Sequence, residues 1–193
     1  MKLLICLLTV VCSCRLTAQE KPYYYEIPDA PKTYTPATVA ARMVDGLGFR
    51  YFWVTEGLRE KDLAFKPSDS ARTCYETLQH IEELTEVLLN AVSQKPTMIT
   101  NEEEKLSFEQ LQERTLKNIQ SASEILKKPD ANLGNFDMIF QRPESSRSFP
   151  FWNLINGPIS DALWHVGQVV SFRRSSGNPW PKGVNVLTGK KSD

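Results

Sequence analysis

The chain has 193 residues, with 23 Lys and Arg against 23 Asp and Glu, two His and four Cys. Zero net charge removes the simplest case for nucleic-acid binding, in which many Lys and Arg neutralise phosphates, so no nucleic-acid partner is expected. A length near 190 fits one domain, or one domain plus a leader, and two histidines exclude a three-histidine metal site within one chain.

Residues 1–18 read as a leader. Lys2 precedes an apolar stretch from Leu3 to Cys12, broken only by Thr9; a membrane-spanning helix needs roughly twice that length. A positive start, a short apolar core and the small residue Ala18 make a secretory signal peptide. Cleavage after Ala18 leaves Gln19 at the mature terminus and directs the protein to the periplasm or the outside of the cell. Leu16 is large for the minus-three position. The rival is a lipoprotein leader with the lipid on Cys12 or Cys14, although Val11-Cys12-Ser13-Cys14 is a poor match to the required motif. Loss of Lys2 and Arg15 leaves 21 basic against 23 acidic residues. Cys6, Cys12 and Cys14 leave with the leader, so the remaining Cys74 has no intrachain disulfide partner. Cys74 falls on an apolar helical stripe and reads as a buried small residue before it reads as a nucleophile. No transmembrane segment is expected after the leader.

Residues 19–35 contain Pro22, Pro28 and Pro31 and read as an extended arm. Thr35 is a plain N-cap and Pro36 fits a first helical turn. From there Val39, Met43, Leu47, Tyr51, Val54 and Leu58 recur at spacings of three and four, predicting a first helix. Asp62 to Arg72 reads as a loop. A second helix is predicted from about Thr73 to Ser93, with Cys74, Leu78, Ile81, Thr85, Leu88 and Val92 as its inward stripe. A third is predicted from about Asn101 to Lys128, with Phe108, Leu111, Leu116, Ile119 and Ile125 as its apolar positions. A long loop follows, from Pro129 to Ser148. The fourth helix runs from Phe149 to Arg174, kinked or restarted at Gly157-Pro158, and Ser175-Ser176-Gly177-Asn178-Pro179 stops it. No strand signal of any strength stands out, and no fixed-period repeat. The expected class is all-α: a four-helix bundle over residues 36–178, with a tail, 179–193, lying over it.

The chemistry concentrates on the two histidines. Asp161 and His165 are four residues apart and share one helical face, bordered by Leu154, Phe172, Phe151 and Val169. His80 sits near the edge of the second helix's stripe, on the side of Leu84, Val87 and Ala91. Both histidines should face inward, one of them beside a carboxylate, and burying either group unpaired is costly. Two imidazoles and a carboxylate are a usual set for a first-row divalent ion, with other positions left to water or substrate. The spacing fits equally an ordinary i,i+4 hydrogen bond and histidines satisfied in the core or at the surface. Gln168, one turn beyond His165, is placed to position a ligand, and Gly167 to allow a close helix approach. Glu76 and Glu83 flank His80 on its helix's outer edge, where a solvated face is a simpler reading than general-base work. Trp152, Trp164, Phe151 and Phe172 read as core, or as the lining of an apolar cleft above the site. Arg173-Arg174 answer the macrodipole of their own helix.

Three stretches together carry a resemblance: Asp161-Ala-Leu-Trp-His-Val-Gly-Gln168, the helix Leu78-Gln-His-Ile-Glu-Glu-Leu84, and the loop Ala64-Phe-Lys-Pro-Ser-Asp-Ser-Ala-Arg-Thr73. They resemble the DinB/YfiT family, over roughly residues 36–178. The resemblance implies a four-helix bundle around an inward-facing divalent ion, bound by one His of the second helix and a His-x-x-x-His pair of a later one. Carried over by position, the ligands are His80, Asp161 and His165, with Asp161 standing where the family usually has His, and the expected ion is zinc or nickel. It also implies a metal-dependent transferase or hydrolase that activates a thiol or a water against a small-molecule substrate. The export signal separates this chain from the cytoplasmic thiols such enzymes use. The alternative is a non-catalytic exported bundle, with a structural or vestigial metal site, that acts as a binding protein. A homodimer is compatible with the resemblance, though no interface stripe stands out.

Overall fold

The computed structural model describes residues 21–100 and 104–192; the leader expected over residues 1–18, with its alternative lipid attachment at Cys12 or Cys14, lies outside them. The first helix, α1 (Pro36–Thr55), is followed by a short turn of helix, α2 (Glu60–Leu63), and then by α3 (Cys74–Val92) and α4 (Phe108–Leu126). Thr35, Thr73 and Ser107 start the three long helices in the same way. Each hydroxyl accepts the backbone N–H three residues on, and the side chain of that residue accepts from the cap's own N–H. A last helical run begins as α5 (Phe151–Leu154), widens to a π-type turn over Ile155–Ile159 and continues as α6 (Ser160–Ser175). Pro158 lies inside that turn. The missing N–H is absorbed by a local change of winding, so the helix is re-phased and not broken.

The long helices pack as a ring of neighbours: α1 against α4 and α6, and α3 against the same two. All six stripe residues of α3 are buried. On α1 the prediction fails at its first turns: Val39 and Met43 are exposed, while Ala37, Ala40, Ala41 and Val44 are buried. Small side chains form the contact face there, and a pattern scored on large hydrophobes points to the wrong side. The third helix starts at Phe108, later than the expected Asn101, because the Ser107 cap sets its origin.

The all-α expectation needs correction. The chain is mainly helical but carries two small sheets. β1 (Thr97–Met98) pairs in parallel with β2 (Met138–Arg142), and β2 pairs antiparallel with β3 (Ser145–Phe149) across the turn at Pro143-Glu144. This hairpin occupies the segment expected to be a loop. Its signal is weak because only Met138 is buried, while Phe140 stacks on Phe149 at 6.2 Å and β3 is otherwise exposed and Ser-rich. In the tail, β4 (Val184–Asn185) pairs with β5 (Lys190–Lys191). The tail pairs with the N-terminal arm: the Ile27 amide donates to the Gly189 carbonyl at 2.8 Å, and Lys190 pairs with Glu26, while Lys191 Nζ stands 5.9 Å over the Trp53 ring of α1. No helix among the described residues is long and apolar enough to cross a membrane.

Three polar anchors lock this arrangement. The expected arm folds a single turn at Tyr23–Tyr25 and plants the Tyr24 ring on Gly48, where a Cβ would stand 2.4 Å from the ring. The Tyr24 hydroxyl, Ser123 Oγ (2.6 Å) and Lys127 Nζ (2.6 Å) converge on the buried Asp45. Arg173 is buried and donates to the carbonyls of Trp53, Val54 and Glu56, at 2.8–3.2 Å. It therefore closes the C-terminus of α1, not of its own helix. Asp62, fully buried at the end of α2, accepts from Arg59 Nε, Arg59 Nη2, the Arg59 amide, Ser176 Oγ and Asn178 Nδ2.

Those donors, Arg59 foremost, hold the Asp62 carboxyl well below the ordinary carboxylate range. A depressed native pKa contributes stability that is present above the unfolded value, near 3.9, and is lost as pH falls through the native one. Asp62→Asn is expected to cost about 1–3 kcal/mol at pH 7, and the difference from the parent should shrink steadily in acid. Urea unfolding at pH 7, 5 and 3 checks this; a difference that stays constant with pH would contradict it.

Candidate metal centre

The π-type turn decides which way the functional face of α6 points. One extra residue in a turn rotates every later position by about 100°. Leu154 before it is fully buried, whereas Asp161 after it is 42% exposed. An uninterrupted helical wheel had set the two side by side. With the new phase, Asp161, His165 and Gln168 lie along the seam that α6 forms with α3, where His80 stands about two turns after the Thr73-capped start.

The structure brings His80, Asp161 and His165 together, although the two histidines lie 85 positions apart in the chain. One candidate ligand atom from each lies within 4.8 Å of the others. His80 Nε2 stands 3.5 Å from Asp161 Oδ2, and His165 Nε2 stands 3.4 Å from Asp161 Oδ1. The rings sit edge to face, centroids 4.8 Å apart. The histidine side chains are 25% and 13% exposed. The cluster is therefore at the rim of the helical core, inward-facing but open to solvent on one side.

Each ring is also held on its far side. His165 Nδ1 is 2.8 Å from Gln168 Oε1, and His80 Nδ1 is 3.2 Å from Glu83 Oε2. In the Nδ1–H tautomer both rings donate to these oxygens. A neutral imidazole then presents its Nε2 lone pair to Asp161. Two lone pairs and a carboxylate facing one another repel unless a cation or added protons lie between them. Contacts of 3.4–3.5 Å are long for a charge-assisted hydrogen bond. They end on different oxygens of Asp161, so the carboxylate lies between the two rings and one atom from each residue could hold an ion. The donor set is nitrogen-rich with one oxygen, suited to zinc, nickel and their neighbours and not to magnesium or calcium.

Several residues read from the sequence take roles other than those expected. Glu83, assigned to a solvated edge, orients His80. Glu76 returns the capping bond to Thr73 and takes no part in the cluster. Gln168 hydrogen-bonds the His165 ring. A Cβ on Gly167 would meet nothing within 4 Å, so close helix approach does not explain that glycine. The four aromatics part company: Phe151 is buried against Phe136, Phe172 packs on Phe65, and Trp152 and Trp164 are exposed. Burial pushes the Cys74 thiol up to about 12, which removes it as a nucleophile.

Beside His80 lies a cavity of about 940 Å³, walled by α3, α4 and the segment after β1. Its polar lining includes Glu82, Glu83, Glu86, Arg72 and the Arg114–Glu104 ion pair. No family model, curated protein or solved structure matches the chain, so the chemistry of the centre is argued from its own atoms.

Glu82 was not singled out in the sequence. It is nearly fully buried, and among the described residues its only side-chain donor is Asn118 at 3.4 Å. Burial, reinforced by Glu86, raises its carboxyl to about 7. A raised native pKa means stability present below the unfolded value, near 4.3, and lost as pH rises toward 7. Glu82→Gln is expected to remove that loss, gaining about 1–3 kcal/mol on the parent between pH 4 and pH 8. Thermal or urea unfolding at the two pH values checks it; an unchanged difference would contradict the assignment.

Proposed function

We propose that the chain is a metal-dependent enzyme of the DinB/YfiT type that holds one zinc or nickel ion through His80 Nε2, His165 Nε2 and the Asp161 carboxylate. The observation that carries this reading is the convergence of three acceptors at metal-ligand spacing, with both Nδ1 atoms already committed to Glu83 and Gln168. The resemblance of residues 64–84 and 161–168 to that family supports it from the sequence.

A bound divalent ion with three protein ligands keeps open positions, where it supplies Lewis acidity to a thiol or a water. The chain's own residues do the rest. Glu83 and Gln168 fix ring orientation and tautomer, and so raise the basicity of the two ligand nitrogens. The open side of the cluster faces solvent, and His80 borders the 940 Å³ cavity, so a small molecule can reach the site along α3. The reaction class is transfer to, or hydrolysis of, a small electrophile.

Elemental analysis of the purified protein after incubation with zinc or nickel is expected to find about one equivalent. His165→Ala should lose it, and Gln168→Ala should bind about 10–100-fold more weakly. No bound ion in the parent would overturn the metal reading. With the ion bound, turnover in thiol-transfer or ester-hydrolysis assays that His80→Ala abolishes would separate an enzyme from a structural metal site.

A further inference from the structure

A second cavity, of about 780 Å³, lies between α1, α6 and the tail that carries β4 and β5. It is distinct from the metal centre. On α6, Val166, Val170 and Arg174 stand about 140–220° around the helix from Asp161, whereas His165 and Gln168 stand within about 40° of it. The two sites thus use opposite faces of one helix.

Its lining combines two features that rarely meet without a ligand. Much of the wall is apolar, and part of it is left in water: Met43, Val186 and Leu187 all line it and are exposed, Leu187 almost completely. Three guanidinium groups, of Arg42, Arg50 and Arg174, line the same cavity, and no Asp or Glu does. Arg42 Nη1 donates to the Pro28 carbonyl and Arg50 Nη1 to the Gly46 carbonyl. None of the three belongs to an ion pair among the described residues. Arg50 is half-buried, and desolvation alone moves its pKa, downward, with no acidic neighbour opposing it. A partly buried cation without a counter-charge is costly, and a carboxylate bound bidentately by guanidinium would offset that cost.

We propose that this groove binds an anionic amphiphile: a carboxylate held by Arg50 and Arg174, on an apolar chain that lies along Met43, Val166, Val170 and Leu187. The volume suits a molecule of that size, since ligand sites run to about 300–1,000 Å³ and combine apolar walls with a few placed polar groups. The charge selects the head group, and the exposed apolar wall selects the body. Position on the far face of α6 makes binding independent of the metal centre.

Isothermal titration calorimetry of the purified protein with sodium dodecanoate, below its micelle concentration, tests this. One equivalent should bind, and about tenfold or more tightly than dodecan-1-ol, which lacks the charge. Arg174→Gln, whose side chain is exposed and makes no internal hydrogen bond, and Arg50→Gln should each weaken dodecanoate by about tenfold and leave dodecan-1-ol unchanged. Metal content should be the same in both variants, which keeps this test separate from that of the metal reading. Equal affinity for acid and alcohol, no dodecanoate binding, or binding indifferent to both substitutions would overturn the proposal. So would a parent dimer that Arg174→Gln dissociates without dodecanoate binding, since the groove would then be a self-association surface.

Discussion

Two imidazoles and one carboxylate, held face to face across the α3–α6 seam, are the cluster around which the helices are arranged. In the Nδ1–H tautomers, with no cation between them, they repel. They stay together because each ring is also held from behind, by Glu83 on α3 and by Gln168 on α6. Such an arrangement is an expense in a protein that folds for stability alone, where apolar side chains would fill the seam at no electrostatic cost. It fits the proposed reading of the cluster as a cation site, with the partner behind each ring setting its orientation.

The fold supplies this geometry from a distance. Helices α3 (Cys74–Val92) and α6 (Ser160–Ser175) are far apart in the chain but pack directly on each other, and α1 and α4 complete the ring. Arg173 ties the C-terminal end of α6 to the terminal carbonyls of α1, and Asp62 gathers α2, Ser176 and Asn178 into one knot below it. The Tyr24–Asp45–Lys127 contact fixes α1 to α4 and to the N-terminal arm. The π-type turn at Ile155–Ile159 sets the phase of α6. Without its extra residue, the face that carries Asp161 and His165 would turn by about 100°, and the cluster would not form.

Sequence periodicity located α3 to within a residue at each end, because its stripe is built from large aliphatics and its caps are explicit. On α1 the same reasoning chose the wrong face over the first two turns, since the buried residues there are the alanines Ala37, Ala40 and Ala41, which score poorly. The β2–β3 hairpin was invisible because it contains one buried residue and a serine-rich partner strand; its order comes from pairing and from packing on α3. At the site, His80, Asp161 and His165 were legible from residue type and spacing. The role of Glu83 was not, because an exposed glutamate on a helix edge looks the same whether or not a histidine leans on it. Glu82 carried no local signal at all: its burial is made by α4, through Asn118. Nor could the capping of α1 by Arg173 be read from sequence, since donor and acceptors lie about 120 residues apart.

The central claim is that both histidines present unprotonated Nε2 atoms to a shared cation position. Nitrogen-15 NMR of the imidazole side chains at pH 8, in metal-free protein and during a zinc titration, reads this directly. The account predicts that both rings are Nδ1–H tautomers before zinc. The two Nε2 resonances should then shift together and saturate at one equivalent, while both Nδ1 atoms keep their protons. Rings found as Nε2–H tautomers, or Nε2 resonances that ignore zinc, would contradict it.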